Sequence, residues 1–214
     1  MIDLVIYGGY FILLLDLILY TYSFFRTEKA NVFFVLYLVF CFVMQCSLEI
    51  MYHLHVKNNL FFVNLFFIGQ MILLGLFYQS ILISKGQKKV VKWSLILSLV
   101  ILSIQLCIDY SQFVEFNLLA ITISSLLIIV YALLHFYNML TGHKEYYYFT
   151  IGVIFYLLTS TILFLVGNLT IGLSNEFKLM SWTLNAFLIL GYYLFILFEW
   201  KVTFFSKKQI SNDI

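Results

Sequence analysis

The sequence predicts an all-α integral membrane protein, a seven-transmembrane-helix bundle with its N-terminus outside and its C-terminus in the cytoplasm. Three observations predict it: the apolar composition, the division into apolar runs, and the placement of the basic residues. Of the 214 residues, 64% are hydrophobic and 10% are charged, and the mean hydropathy is +1.03. A soluble domain usually carries about 25% charged residues. A soluble fold of this size would leave much apolar surface in water, so we expect lipid around it.

The apolar runs are as long as the roughly 20 residues that a helix needs to cross a bilayer, except the fourth, which is the shortest. Together they predict a single seven-helix transmembrane domain over residues 1–214. The predicted helices cover about 4–25, 31–53, 60–84, 93–108, 116–140, 146–169 and 179–200, and 201–214 form a short cytoplasmic tail. The start Met-Ile-Asp-Leu-Val has no basic segment of the signal-peptide kind, so we expect the first run to stay as a helix. The chain contains no proline, which favours unbroken helices over the interrupted helices of many transporters.

The orientation follows from the lysines and arginine, because cytoplasmic loops retain positive charge. With the N-terminus outside, only Lys57 and Lys178 lie outside. The other ten of the twelve basic residues lie inside: Arg26, Lys29, Lys85, Lys88, Lys89, Lys92, Lys144, Lys201, Lys207 and Lys208. The opposite orientation would invert this ratio. Lys85 to Lys92 are expected to form a basic cytoplasmic loop between the third and fourth helices.

A polar stripe on the second helix is the first candidate site. Glu49 and His53 are four residues apart, so they share one helix face, and Gln45 lies one turn before them. A carboxylate and an imidazole at this spacing can share a proton, bind a cation or supply two metal ligands. They can equally form a hydrogen-bond network that fixes helix packing. The identity of any metal is unknown from the sequence.

Other polar residues fall at a similar predicted depth near the outer ends of four further helices. If their side chains face inward, they surround an outward-facing ligand pocket centred on Glu49. Each alone also suits an interfacial or packing role. These residues are Asn64, Asn117, Asn168, Trp182 and Asn185.

Two acidic residues lie elsewhere in the predicted spans. Asp16 is near the middle of the first helix, where an ionisable residue is a functional candidate by default. It could pair with Gln70 or Gln105, or be protonated, and structural and functional roles are equally open. Glu199 adjoins Lys201 at the end of the seventh helix, and we expect it to reach the membrane surface beside that lysine.

Several function classes lack the residues that they need. No lysine lies deep in the seventh run to hold retinal, and no phosphate-binding glycine loop, metalloprotease helix or nucleophile elbow appears. Cys41, Cys46 and Cys107 all fall within apolar runs without a zinc spacing, so we expect small buried hydrophobic residues there. The sequence therefore predicts no cofactor and no catalytic residue.

The leading hypothesis is a sensory or receptor-like membrane protein. It would bind a small ligand or proton in the outer half and act through a cytoplasmic or membrane partner. An intramembrane lipid hydrolase using Glu49, His53 and Asp16, and an oligomeric pore or small transporter, are the alternatives. The expected surroundings are the lipid bilayer without nucleic acid. In helix count, polarity and length the chain resembles the small seven-helix proteins that accompany bacterial sensor kinases and the membrane sensor regions of such kinases, and we expect it in a bacterial inner membrane.

Overall fold

The structure, a computed structural model, describes residues 2–27, 30–56, 59–142, 144–169 and 175–205. Within that part, it has seven helices long and apolar enough to cross a membrane and no strand, which confirms the predicted fold class. The helices are α1 Ile2–Thr27, α2 Val32–His53, α3 Leu60–Ile81, α4 Lys85–Ile108, α5 Leu118–Thr141, α6 Tyr147–Leu169 and α7 Asn175–Trp200. A 3₁₀ turn, Tyr110–Phe113, follows α4, and a π-helical turn, Lys201–Phe205, continues α7.

The predicted helix bounds agree with the structure except at the starts of α4 and α7. The basic loop predicted before α4 is wrong: α4 begins at Lys85, so its first two turns carry the lysines. Lysine and glutamine are good helix formers, and a helix can extend beyond the apolar segment that crosses the membrane. α7 likewise begins at Asn175, before its apolar run. Each of the seven helices is continuous over its 22 to 26 residues, as the absence of proline predicts.

The described residues form two compact helical units. The first unit contains α1, the end of α5 from Phe136, α6 and α7. The second unit contains α2, α3, α4 and α5 as far as His135.

Polar side chains connect neighbouring helices of the second unit. Asn31 caps α2 by accepting a hydrogen bond from the backbone nitrogen of Phe33 at 2.9 Å. Its amide nitrogen also donates to Ser80 Oγ of α3 at 2.7 Å. The hydroxyls of Ser94 on α4 and Tyr131 on α5 are 2.7 Å apart. Such bonds contribute about 0.6 kcal/mol on average between membrane helices, so they act mainly by setting the register of the helices.

In the first unit, α7 packs against both α1 and α6. The indole nitrogen of Trp200 donates to Ser23 Oγ at 2.9 Å, and the Tyr20 hydroxyl donates to the carbonyl oxygen of Ile196 at 3.3 Å. α6 approaches α7 closely at Gly152, where an added Cβ would lie 2.8 Å from Cβ of Phe195. Close backbone approach at small residues is typical of helix packing in membranes.

Many large apolar side chains are exposed on the helices, as expected of surfaces that face lipid. Cys41 is buried, as predicted, but the prediction is wrong for Cys46 and Cys107, which are exposed. An apolar run marks a membrane span without distinguishing its lipid-facing side from its packed side.

Candidate functional site

The predicted contact on α2 is formed. His53 Nε2 lies 3.2 Å from Glu49 Oε1, with the two side chains 66% and 27% exposed. Gln45, one turn earlier, is half-buried. Because His53 is the last residue of α2, the pair lies at the end of a predicted membrane span, where a proton or small solute can reach it.

Asn64 of α3 is buried and holds the connection between α4 and α5. Its amide nitrogen lies within hydrogen-bonding distance of three backbone carbonyl oxygens: Gln112 at 3.3 Å, Phe113 at 3.0 Å and Glu115 at 2.7 Å. Its side-chain oxygen accepts from the backbone nitrogen of Asn117 at 3.4 Å. This predicted ligand-binding residue therefore directs both ends of its amide to the backbone.

Asn117 is the residue before α5 and caps it, with Oδ1 accepting from the backbone nitrogen of Ala120 at 3.0 Å. Asparagine is among the preferred residues at this position. The amide of Asn117 also forms a reciprocal pair with the amide of Gln105 on α4, at 3.2 and 3.3 Å. The structure thus brings Asn64 and Asn117 together, as the shared depth predicts, around the backbone of the connection.

The connection contains one strongly hydrogen-bonded carboxylate, that of Asp109. Gln112 Nε2 donates to it at 3.0 Å, and the hydroxyl and backbone nitrogen of Ser111 donate at 2.7 and 3.0 Å. These bonds, with Gln112 the largest contributor, lower the pKa of Asp109 below its ordinary value. Asp109 is fully exposed, outside the spans, and stabilises the 3₁₀ turn that Asn64 contacts.

The remaining predicted pocket residues belong to the first unit. Trp182 is exposed, and Asn185 is half-buried with its Oδ1 enclosed and without a hydrogen-bond partner in the described residues. The side chain of Asn168 lies outside the described residues. A single pocket that unites these residues with Glu49 stays a prediction.

Asp16 of α1 has no exposed surface, and neither carboxyl oxygen has a hydrogen-bond partner among the described residues. The pairing suggested with Gln70 or Gln105, which belong to the second unit, stays a prediction. Gln70 donates to the hydroxyl of Tyr37 at 3.4 Å, and Gln105 pairs with Asn117. Each amide has a partner within its own unit, which the sequence does not reveal.

The surface role predicted for Glu199 is wrong, because Glu199 is only 3% exposed. Its Oε2 accepts from the backbone nitrogens of Tyr148 at 2.7 Å and Phe149 at 3.4 Å, in the first turn of α6. Its Oε1 accepts from the hydroxyl of Thr203 at 2.7 Å. A carboxylate is favourable beside the partial positive charge of a helix N-terminus.

In the described part of the chain, no three His, Cys, Asp or Glu residues gather closely enough to hold a metal ion. His135, the other histidine within a predicted span, is buried with its ring 6.0 Å from that of Tyr78. It packs between helices of the second unit.

The residues that join helices through side-chain hydrogen bonds give little signal in the sequence. Asn31 and Ser80 pair across α2 and α3, and Ser94 and Tyr131 pair across α4 and α5. The only sequence signal is the position of Asn31 just before an apolar run, which is typical of an N-cap. Serines and tyrosines are too frequent in this chain to identify the others.

Comparison with protein families, with curated proteins and with solved structures finds no match to this chain.

Proposed function

We propose that this chain is a sensory or receptor-like membrane protein that receives a proton or small ligand at the Glu49–His53 pair. The observation that carries the proposal is the 3.2 Å contact between a half-buried carboxylate and an exposed imidazole at the end of a span. Histidine changes charge in the physiological pH range, and protonation converts this contact into an ion pair. The pair can therefore register a proton or a solute that binds to it.

Few of the described residues near the pair carry a charge. His55, two residues further, is exposed in the connection after α2, and the ring of Tyr52 lies 5.7 Å from that of His53. α3, which packs against α2, carries no charged residue over Leu60–Phe67. A proton or solute that binds at the pair therefore acts on the contact between Glu49 and His53.

The first turns of α4 supply the proposed surface for a partner. Lys85, Lys89 and Lys92 are exposed there, and Lys88 donates to the carbonyl oxygen of Ser80 at 3.4 Å. In the proposed orientation these lysines face the cytoplasm. A partner with an acidic surface would match them. The metal-dependent hydrolase alternative gains no support, because no third ligand accompanies Glu49 and His53 in the described residues.

Tryptophan fluorescence of the purified protein in lipid nanodiscs, measured against pH, tests the proton response. We expect the emission of wild type to change across the range where histidine titrates, and Glu49→Gln and His53→Gln to lose that change. His55→Gln is the matched control and should keep it.

Ligand reception is tested by crosslinking the lysines of α4 in cells exposed to different extracellular pH values and solutes. We expect a crosslinked partner whose yield depends on Glu49 and His53 but not on His55. A wild type without a fluorescence response and without a condition-dependent crosslink would overturn the proposal. If His55→Gln loses these responses as fully as Glu49→Gln and His53→Gln do, the Glu49–His53 pair is not the receiving site.

A further inference from the structure

The face of α1 that packs against α7 carries Gly9, Asp16 and Tyr20. The Tyr20 hydroxyl donates to the carbonyl oxygen of Ile196, which shows that this face is turned toward α7. Gly9 and Asp16 precede Tyr20 by eleven and four residues, and at 3.6 residues per turn both fall on the same side of the helix. All three are buried.

α7 repeats this spacing. Tyr192 and Asn185 precede Ile196 by four and eleven residues. The Tyr20–Ile196 contact and the Ser23–Trp200 contact advance in the same direction along both helices, so α1 and α7 are parallel. From the helical rise, Tyr192 is therefore expected at about the level of Asp16, and Asn185 at about the level of Gly9.

The described residues leave space at the level of Gly9. Gly9 is buried, yet a Cβ added to it would meet no atom of the described residues within 4 Å. Asn185, expected opposite, has an enclosed Oδ1 without a hydrogen-bond partner in the described residues. An enclosed space beside an unpaired polar atom is suited to ordered water. Asp16 lies about 10 Å further along the helix, from the rise of about 1.5 Å per residue.

The carboxyl of Asp16 supplies few oxygen atoms for binding a metal ion. A calcium ion takes six to eight oxygen ligands. The other enclosed oxygens without partners among the described residues of this unit are one each on Thr161 and Asn185. With Asn185 about two turns away, such a shell is incomplete around Asp16. A proton, in contrast, needs a single carboxyl oxygen.

In the described part of the chain, the titratable groups around Asp16 are acids. Tyr20 lies one turn away on α1, and Tyr192 is expected at its level on α7. Tyr20 interacts electrostatically with Asp16, with Glu199 of α7 and with Tyr146, the residue before α6. None of these groups carries a positive charge that would stabilise a carboxylate at Asp16, and burial without a hydrogen-bond donor disfavours the charged form.

We propose that Asp16 is an intramembrane proton-binding site, occupied at neutral pH, which exchanges its proton through the space between Gly9 and Asn185. The carboxylate takes a proton from a hydronium ion and leaves a neutral carboxylic acid and a water molecule. This site belongs to the first unit and stands independently of the Glu49–His53 pair.

Infrared spectroscopy of the protein in nanodiscs at neutral pH tests the site. We expect a carbonyl band of a protonated carboxyl group that shifts when aspartate is labelled with ¹³C at its side-chain carboxyl. The band should be lost in Asp16→Asn and kept in Asp109→Asn, which changes an exposed aspartate. A wild type without a ¹³C-sensitive protonated-carboxyl band would overturn the proposal, and that measurement needs no variant to fold.

The exchange route is tested by the rate at which this band shifts in deuterated water. Gly9→Leu fills the space, so we expect the shift to slow several-fold. Gly8→Leu is the matched control, since Gly8 is half-buried and an added Cβ there also has no atom of the described residues within 4 Å. Asn185→Leu provides a second substitution on the route. Wild-type rates in both Gly9→Leu and Asn185→Leu would overturn the route.

Discussion

The carboxylate of Glu199 lies 2.7 Å from the backbone nitrogen of Tyr148, so a residue near the end of α7 caps the start of α6. The same carboxylate accepts a hydrogen bond from Thr203 in the π-helical turn. One buried side chain thus holds together two helix ends of the first unit.

Replacing Glu199 should destabilise the first unit. We expect Glu199→Ala to lower the free energy of unfolding by about 1–2 kcal/mol, because the first amides of α6 lose their acceptor. Glu199→Gln should cost less, since it keeps an acceptor oxygen but loses the favourable charge. Denaturant unfolding in micelles measures both. Lys201→Ala, at an exposed neighbouring position, is the control, and an equal loss there would favour the surface role for Glu199.

Removing the side-chain amide of Asn64 should loosen the α4–α5 connection. Asn64→Ala removes the donor to the carbonyls of Phe113 and Glu115, and two hydrogen bonds of about 0.5–1.5 kcal/mol each predict a loss of about 1–3 kcal/mol. The control is Asn59→Ala, because Asn59 precedes α3 without forming a side-chain capping bond. Thermal unfolding should separate the two variants clearly. Matching melting temperatures would contradict the role assigned to Asn64.

The 3₁₀ turn after α4 should depend on pH through Asp109. Its pKa is lowered in the folded chain, so its stabilising effect is present above the ordinary aspartate pKa and is lost as pH falls through the lowered value. Gln112→Ala should raise this pKa toward the ordinary range. NMR titration of the side-chain carboxyl carbon measures the midpoint, and an unchanged midpoint in Gln112→Ala would show that the amide contributes nothing.

The predicted orientation can be tested by thiol labelling in intact cells. Serine replaces the exposed Cys46 and Cys107, whereas Cys41 is buried and stays. An impermeant reagent should then label Asn59→Cys but not Lys89→Cys until the cells are opened. Labelling of Lys89→Cys in intact cells would reverse the orientation.

The Glu49–His53 contact could be predicted because both residues belong to one helix, whose hydrogen-bond ladder fixes the positions of side chains four residues apart. Asn64 and Asn117 were predicted at a common depth, and the structure brings them together. Their backbone partners could not be predicted, because they lie in a connection whose path no periodic pattern specifies.

The sequence by itself determined the seven helices and most of their bounds, because backbone groups in lipid must be satisfied within each spanning segment. It did not determine how those helices are rotated against one another. Glu199, expected at the surface, caps α6, and Asp16, for which pairing with a glutamine and protonation were both left open, has no hydrogen-bond partner among the described residues. These helices are apolar on nearly every side, so hydropathy does not mark the packed face. Only the tertiary structure decided which polar groups meet.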